Sequence, residues 1–332
     1  MKINVDTVNP WEHAYMMTEQ RELWRIARSL MNMGVEVSTI PYEYVKPQEY
    51  DVCVWSHQPI IPVVKNRVGD AWNDTINVLF AHGDVLPGDN INGVIYVIRQ
   101  GYEDSASFYK YSIYIHPPFE PLFRLDKGYD DYILTGGALI PKRSMHVTLL
   151  ALTYLKVNNM VDNIPKLKIV YQPSKEWDWS DRDKGGLYRK MYDAIFNIAI
   201  GSGIEIEEQD AICYGDFQIL LSRAKCYINL ARGVNTTICQ ESIAYGVPLL
   251  SFDHSIDYTN DYIHIIRQSE EYEIVMNLAS LIKDLLINYS SIKESCMKNA
   301  DASLSKCSYR QTGTKLLDFF LEIAKDKYDG RN

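Results

Sequence analysis

Two rhythms of apolar and polar residues alternate along this chain. Short, nearly continuous apolar runs are separated by longer stretches in which apolar residues return every three to four positions, as strands and amphipathic helices require. The runs Lys2–Val8, Val35–Ile40, Asp51–Ser56, Asn77–Ala81, Gly93–Ile98 and Tyr111–Ile115 read as strands. The unbroken apolar character of the third and fourth suits strands covered on both faces. Between the first two runs, Leu23, Ile26, Ala27, Leu30 and Met31 form one stripe of a helix from about Tyr15 to Asn32, which Gly34 ends. Strand, loop, helix, glycine and strand in that order open a doubly wound parallel sheet.

The stiff segment His116-Pro117-Pro118-Phe119-Glu120-Pro121, continuing to Gly128, interrupts the pattern and reads as a connection between domains. A second α/β series follows. Tyr132–Thr135 is a strand and Gly136-Gly137 a turn, with a helix over Ser144–Leu155. Leu167–Tyr171, Ile204–Ile206 and Cys226–Leu230 are strands, alternating with helices near 185–201 and 215–224. Val247–Phe252 and Tyr262–Ile266 continue the strands before three helical stretches to the end. The expected fold class is α/β, two Rossmann-like α/β/α domains facing a central cleft, where open parallel sheets bind ligands.

Within the second series, Asn235-Thr236-Thr237-Ile238-Cys239-Gln240-Glu241-Ser242-Ile243-Ala244-Tyr245-Gly246-Val247-Pro248 joins two apolar runs. Thr237 and Gln240 have capping-box spacing, so a short helix is expected to start there, with Gly246 stopping it. Glu241 would then lie in the first turn. A helix N-terminus beyond a strand attracts phosphate through its unpaired N–H groups and its dipole, and a carboxylate one turn in can accept from a ribose diol. On residue pattern alone the favoured reading is that Glu241 only favours the dipole, worth at most about 1 kcal/mol.

This stretch resembles the donor-binding segment of GT-B-fold glycosyltransferases, roughly E-A-x-A-x-G-x-P-V/L, through Glu241-Ser242-Ile243-Ala244-Tyr245-Gly246-Val247-Pro248-Leu249. The resemblance implies that Glu241 holds the nucleotide ribose, with Thr237 and Ile238 beside it at the start of the helix. Tyr132-Ile133-Leu134-Thr135-Gly136-Gly137-Ala138-Leu139-Ile140-Pro141-Lys142-Arg143-Ser144 is similar to the family's strand-G-R-L-x-P-x-K-G segment, whose cations hold the donor diphosphate. Aligned on Pro141, Arg143 takes the lysine position and Ala138 the arginine position. Lys142 is the candidate for the missing charge and Gly137 for the glycine turn. An ordinary solvated helix start explains Lys142-Arg143 equally well. Tyr214, before Gly215, matches the loop-helix that contacts the nucleobase.

Other positions depart from the family. Asn9-Pro10-Trp11-Glu12-His13 replaces the glycine-rich turn after the first strand. Gly233 stands where many retaining members carry a second glutamate, which leaves the stereochemical outcome open. Asp181-Arg182-Asp183 is a D-x-D better explained by capping and solvation than by metal binding. The implied domains are an acceptor-side domain at 1–120, a nucleotide-sugar donor domain at 121–308, and a C-terminal helix at 309–332 crossing back to the first domain. For an inverting reaction a base from the first domain is needed. His82 and Asp84, after the Asn77–Ala81 strand, are the candidate catalytic pair, with His57 and Glu12 in reserve.

The function expected from the resemblance is transfer of a sugar from a nucleotide diphosphate donor, a UDP-sugar being favoured, to an acceptor hydroxyl. A nucleotide-sugar epimerase of the same fold and a non-catalytic nucleotide-sugar-binding module are the alternatives. No nucleophile elbow, Walker A or G-x-G-x-x-G supports a hydrolase, ATPase or dehydrogenase. The family needs no metal for catalysis, so no metal or cofactor is expected beyond the donor as co-substrate.

Composition narrows the setting. At 332 residues and 46% apolar, the chain can build two ordinary cores. A net charge of −9 disfavours nucleic acid as acceptor, although a modified base stays open beside glycans and small molecules. No run approaches the roughly 20 apolar residues of a membrane span. Six dispersed cysteines without a C-x-x-C pair, and an opening that is no secretory signal, suggest a reducing, cytoplasmic location.

Overall fold

The computed structural model describes all residues except 8–17, 82–84, 86–90, 98, 122–129, 173, 177–185, 211, 232–235, 253–262, 267–269 and 330–332. The chain divides into two compact units, Met1–Glu120 with Leu304–Asn332, and Pro121–Ser303.

The first unit is a six-stranded parallel sheet of β1 (Lys2–Val5), β2 (Glu36–Ser38), β3 (Val52–Trp55), β4 (Ile76–Ala81), β5 (Gly93–Tyr96) and β6 (Ser112–Tyr114), in the order β2-β1-β3-β4-β5-β6. Its helices are α1 (Thr18–Met31), α2 (Ile60–Val68), α3 (Arg99–Ser105) and α10 (Tyr309–Asp329). β3 and β4 are buried along their whole length, the consequence of two covered faces. On one face Leu23, Ile26, Ala27 and Leu30 of α1 meet Leu316, Phe319, Phe320 and Ile323 of α10 over the sheet. The two helices approach so closely that a side chain at Gly313 would strike the Ser29 carbonyl. Thr312, Gly313, Leu316, Phe319, Phe320 and Ile323 are buried, so the C-terminal helix is part of this unit's core. On the other face Trp55 stacks on Trp72 at 5.6 Å, and the Trp55 indole donates to Asn77 Oδ1 at 3.0 Å.

The second unit is also a six-stranded parallel sheet: β7 (Tyr132–Gly137), β8 (Lys166–Tyr171), β9 (Ile206–Gln209), β10 (Cys226–Asn229), β11 (Leu249–Phe252) and β12 (Ile263–Ile266), in the order β12-β11-β10-β7-β8-β9. Helices α4 (Met145–Val157), α5 (Leu187–Gly201), α6 (Tyr214–Arg223), α7 (Thr236–Ala244), α8 (Glu271–Ile287) and α9 (Tyr289–Cys307) accompany it. Leu149, Leu152 and Leu155 of α4 join Ile169, Ile228, Leu250 and Leu278 in one core.

Three local expectations need correction. Gly136-Gly137 does not turn but completes β7, paired with Val170 and Tyr171 of β8. The strand expected at Ile204–Ile206 runs instead over Ile206–Gln209. α2 and α3 were not foreseen.

Candidate functional site

Each sheet has one place where the strand order reverses, and ligands of open parallel sheets bind beyond the carboxyl ends of the strands there. In the second unit the reversal lies between β7 and β10, since β8 and β9 extend the sheet to one side and β11 and β12 to the other.

At the end of β7, Gly136 is required by packing, because a Cβ there would stand 2.5 Å from the Val170 carbonyl oxygen. Gly137 has φ +134, a backbone conformation that other residues rarely adopt, and the Arg143 side chain lies alongside, its Cδ and Nε 3.5 Å from where a Cβ would be. Two of the residues matched to the family's phosphate-binding segment are therefore neighbours. Lys142 is exposed and makes no hydrogen bond or ion pair with the described residues.

Beyond β10 the chain enters α7. The helix already includes Thr236, so Thr237 is inside its first turn rather than capping it, and Glu241 falls in the second turn. This corrects the capping-box expectation: an S/T-x-x-E/Q spacing occurs inside helices as readily as at their starts. Thr237 and Ile238 are both buried. Gly246 ends the helix at φ +64, with its N–H bonded to the Ile243 carbonyl and the Val247 N–H to that of Ser242, a Schellman arrangement. The buried Lys293 of α9 donates to the Gly246 carbonyl, and burial pushes its pKa down to about 8.

Glu241 has no solvent exposure. Such a carboxylate must be hydrogen-bonded to be tolerated. The Tyr214 hydroxyl donates to its Oε1 at 3.0 Å and the Gln218 amide to its Oε2 at 2.6 Å. Both donors project from α6, one turn apart, and Gln218 is itself fully buried. Tyr214, the residue matched to the nucleobase-contacting loop-helix, has its hydroxyl on this carboxylate. Gln218 was not anticipated; its place four residues after Tyr214, on the same helical face, was the available clue.

His82, Asp84, Glu12, Gly233 and Asp181–Asp183 lie outside the described residues. His57 is exposed just beyond β3, with Nδ1 2.9 Å from Ser56 Oγ. Among the described residues no group of three His, Cys, Asp or Glu side chains could hold a metal ion, and no helix is long and apolar enough to cross a membrane. An apolar groove of about 490 Å³ runs between α4 and α8, lined by Tyr154, Val157, Tyr272 and Val275 among others, and shares no residue with the Glu241 cluster.

No protein-family model and no curated protein matches the sequence. Solved structures do match the fold. The Anabaena protein HepE, in complex with UDP and glucose, superposes with a TM-score of 0.69 over 96% of this chain and 99% of its own, at 10% identity. A glycosyltransferase from Rickettsia africae gives 0.66 over 98% and 99%, at 12% identity. The pneumococcal O-GlcNAc transferase GtfA, in complex with UDP and GlcNAc, gives 0.59 at 13% identity over 91% of this chain, which spans 60% of that chain. At these identities the likeness establishes the architecture, the GT-B fold of two parallel-sheet α/β domains.

Proposed function

We propose that this GT-B-fold chain is a glycosyltransferase that moves a sugar from a nucleotide diphosphate donor, with a UDP-sugar favoured, to an acceptor hydroxyl. The observation that carries this reading is Glu241. It is a fully buried carboxylate on the helix after the switch-point strand β10, aimed by Tyr214 and Gln218. A buried charge of this kind is costly to keep and contributes little to stability that an apolar residue would not, so a ligand role explains it better. Near-complete overlap with HepE, whose structure holds UDP and glucose, supports the choice of donor.

In this reading the ribose hydroxyls donate to Glu241. Tyr214, the half-buried partner, gives way as they arrive. Gly137 lets the diphosphate approach the backbone at the end of β7, and Arg143 meets its charge, with Lys142 free to swing toward it. Thr237 and Ile238 line the same helix start. Positive charge here matters because the nucleoside diphosphate departs as an anion, and preorganised cations lower the barrier by stabilising it as it forms. Transfer is expected to need no metal.

The test is turnover. UDP-glucose, UDP-N-acetylglucosamine and their GDP counterparts are incubated alone and with hydroxyl acceptors, and released nucleotide and sugar products are measured. Acceptor-dependent release supports a transferase. Free nucleotide with an altered sugar and no acceptor dependence would indicate an epimerase. Tight nucleotide binding without turnover would indicate a binding module.

A further inference from the structure

A surface helix needs one apolar stripe, and α5 carries two. Tyr188, Tyr192, Ile195 and Ala199 turn into the core of the second unit. One residue earlier at each step, Leu187, Met191, Ala194 and Ile198 form a parallel stripe that is exposed, Leu187 to 66% and Ile198 to 57%. Their spacing, alternating between four and three residues, is that of a seam between two helices.

The stripe belongs to a wider apolar face. α4 packs against both α5 and α8, and all three helices add side chains to one core. They start together at the buried His146 of α4, whose Nδ1 is 3.1 Å from the Tyr188 hydroxyl of α5 and whose Nε2 is 3.1 Å from Glu271 Oε2 of α8. Among the described residues of this unit, every exposed large apolar side chain except Ile219 stands on one of these three helices. On the same layer as the α5 ridge runs the groove of about 490 Å³ between α4 and α8, walled by Tyr154 and Val157 on one side and Tyr272 and Val275 on the other. Concentrations of exposed apolar surface of this kind mark interaction sites.

The charges beside ridge and groove are opposite. Lys190, next to Leu187 and Met191 in the first turn of α5, is exposed and makes no ion pair among the described residues. At the start of α8, Glu270, Glu271 and Glu273 are exposed, and among the described residues only Glu271 has an ionisable partner, His146.

We propose that this face is a homodimer interface, in which the α5 ridge of each copy fills the α4/α8 groove of the other. A ridge and a groove side by side on one face are self-complementary, and a two-fold axis parallel to the helices joins them twice in a closed, isologous contact. That rotation keeps the helix direction, so the helix starts coincide and Lys190 comes against the acidic first turn of the partner's α8. A two-fold axis across the helices would stack ridge on ridge and leave both grooves empty. A lipid surface fits less well, because the same three glutamates would face its anionic headgroups. None of these residues belongs to the Glu241 cluster, so the dimer is independent of the transferase reading.

The full chain is followed by sedimentation velocity over a concentration series. Wild type is expected to be a dimer at about 50 µM, above the micromolar dissociation constants at the weak end for standard interfaces. Leu187→Glu with Ile198→Glu on the ridge, and separately Val157→Glu in the groove, should each raise the dissociation constant at least about tenfold. Their circular dichroism should match wild type, since these side chains are exposed. Lys190→Glu should weaken the dimer about fivefold, and adding Glu270→Lys and Glu273→Lys in the same chain should restore it to within about threefold of wild type. A monomeric wild type, a dimer indifferent to the ridge or the groove substitutions, or no recovery on charge exchange would each overturn the interface. A wild type that stays monomeric and pellets with phosphatidylcholine–phosphatidylserine vesicles would make the face a lipid-binding one instead. Lys190→Glu and its charge exchange keep the question answerable if the ridge variant fails to fold.

Discussion

Replacing Gln218 by leucine tests whether α6 holds the Glu241 carboxylate. The substitution keeps the approximate volume and removes the 2.6 Å hydrogen bond to Oε2 of a side chain with no solvent exposure. A hydrogen bond to a charged group contributes about 1.5–3 kcal/mol, and water cannot enter to replace it here, so Q218L should lose about 2–3 kcal/mol. Removing the charge as well should recover part of that loss, because an uncompensated buried carboxylate is worse than an apolar side chain. The assay is a double-mutant cycle of Q218L, E241L and the double variant, by urea unfolding at pH 7. The expected coupling is at least about 1.5 kcal/mol, with the double variant more stable than Q218L alone. Losses that add to within about 0.5 kcal/mol would mean the two side chains do not act as a pair, and the picture of an aimed carboxylate would fail.

Three further outcomes follow from the same geometry. Gly136→Ala places a methyl group 2.5 Å from the Val170 carbonyl oxygen in the β7/β8 ladder, and should lower stability by about 1–3 kcal/mol in the same urea assay. Lys293 has its pKa lowered to about 8 by burial, so between that value and about 10.4 the unfolded chain binds the extra proton. Stability should therefore rise with pH across that window by about 3 kcal/mol in wild type relative to Lys293→Met, with the cost fully present below pH 8; equal pH profiles would contradict it. Turnover of a nucleotide-sugar donor should be unchanged by EDTA, and a loss restored by a divalent cation would show that Arg143 and the helix N-terminus do not suffice.

Much of the architecture is legible in the sequence because strands buried on two faces leave an unmistakable trace. Val52–Trp55 and Ile76–Ala81 are apolar at nearly every position, and Leu316, Phe319, Phe320 and Ile323 mark the inner face of the last helix. What escapes is short or non-local. α2 hides behind Pro59 and Pro62, which read as loop, although Ile60, Ile61 and Val64 bury an apolar face. α3 contains Arg99-Gln100-Gly101-Tyr102-Glu103-Asp104-Ser105, with no apolar stripe to announce it. Gly136-Gly137 looks like a turn by residue type, yet only glycine fits against Val170, so the strand continues through it. Glu241 stands out in sequence, whereas its partner Gln218 is 23 residues away on another helix, and no local pattern joins them. The same holds for Asp6 and Ser56, 50 residues apart and adjacent only because β1 pairs with β3.

The donor site is tested most directly by calorimetric titration of UDP, GDP, ADP and TDP into wild type and Glu241→Ala. Micromolar binding of one nucleotide, UDP by preference, is expected, weakened at least tenfold by the substitution, or about 1.4 kcal/mol. If no nucleotide binds, or the variant binds as tightly as wild type, Glu241 is not a ribose ligand and this chain shares the fold of glycosyltransferases without their donor site.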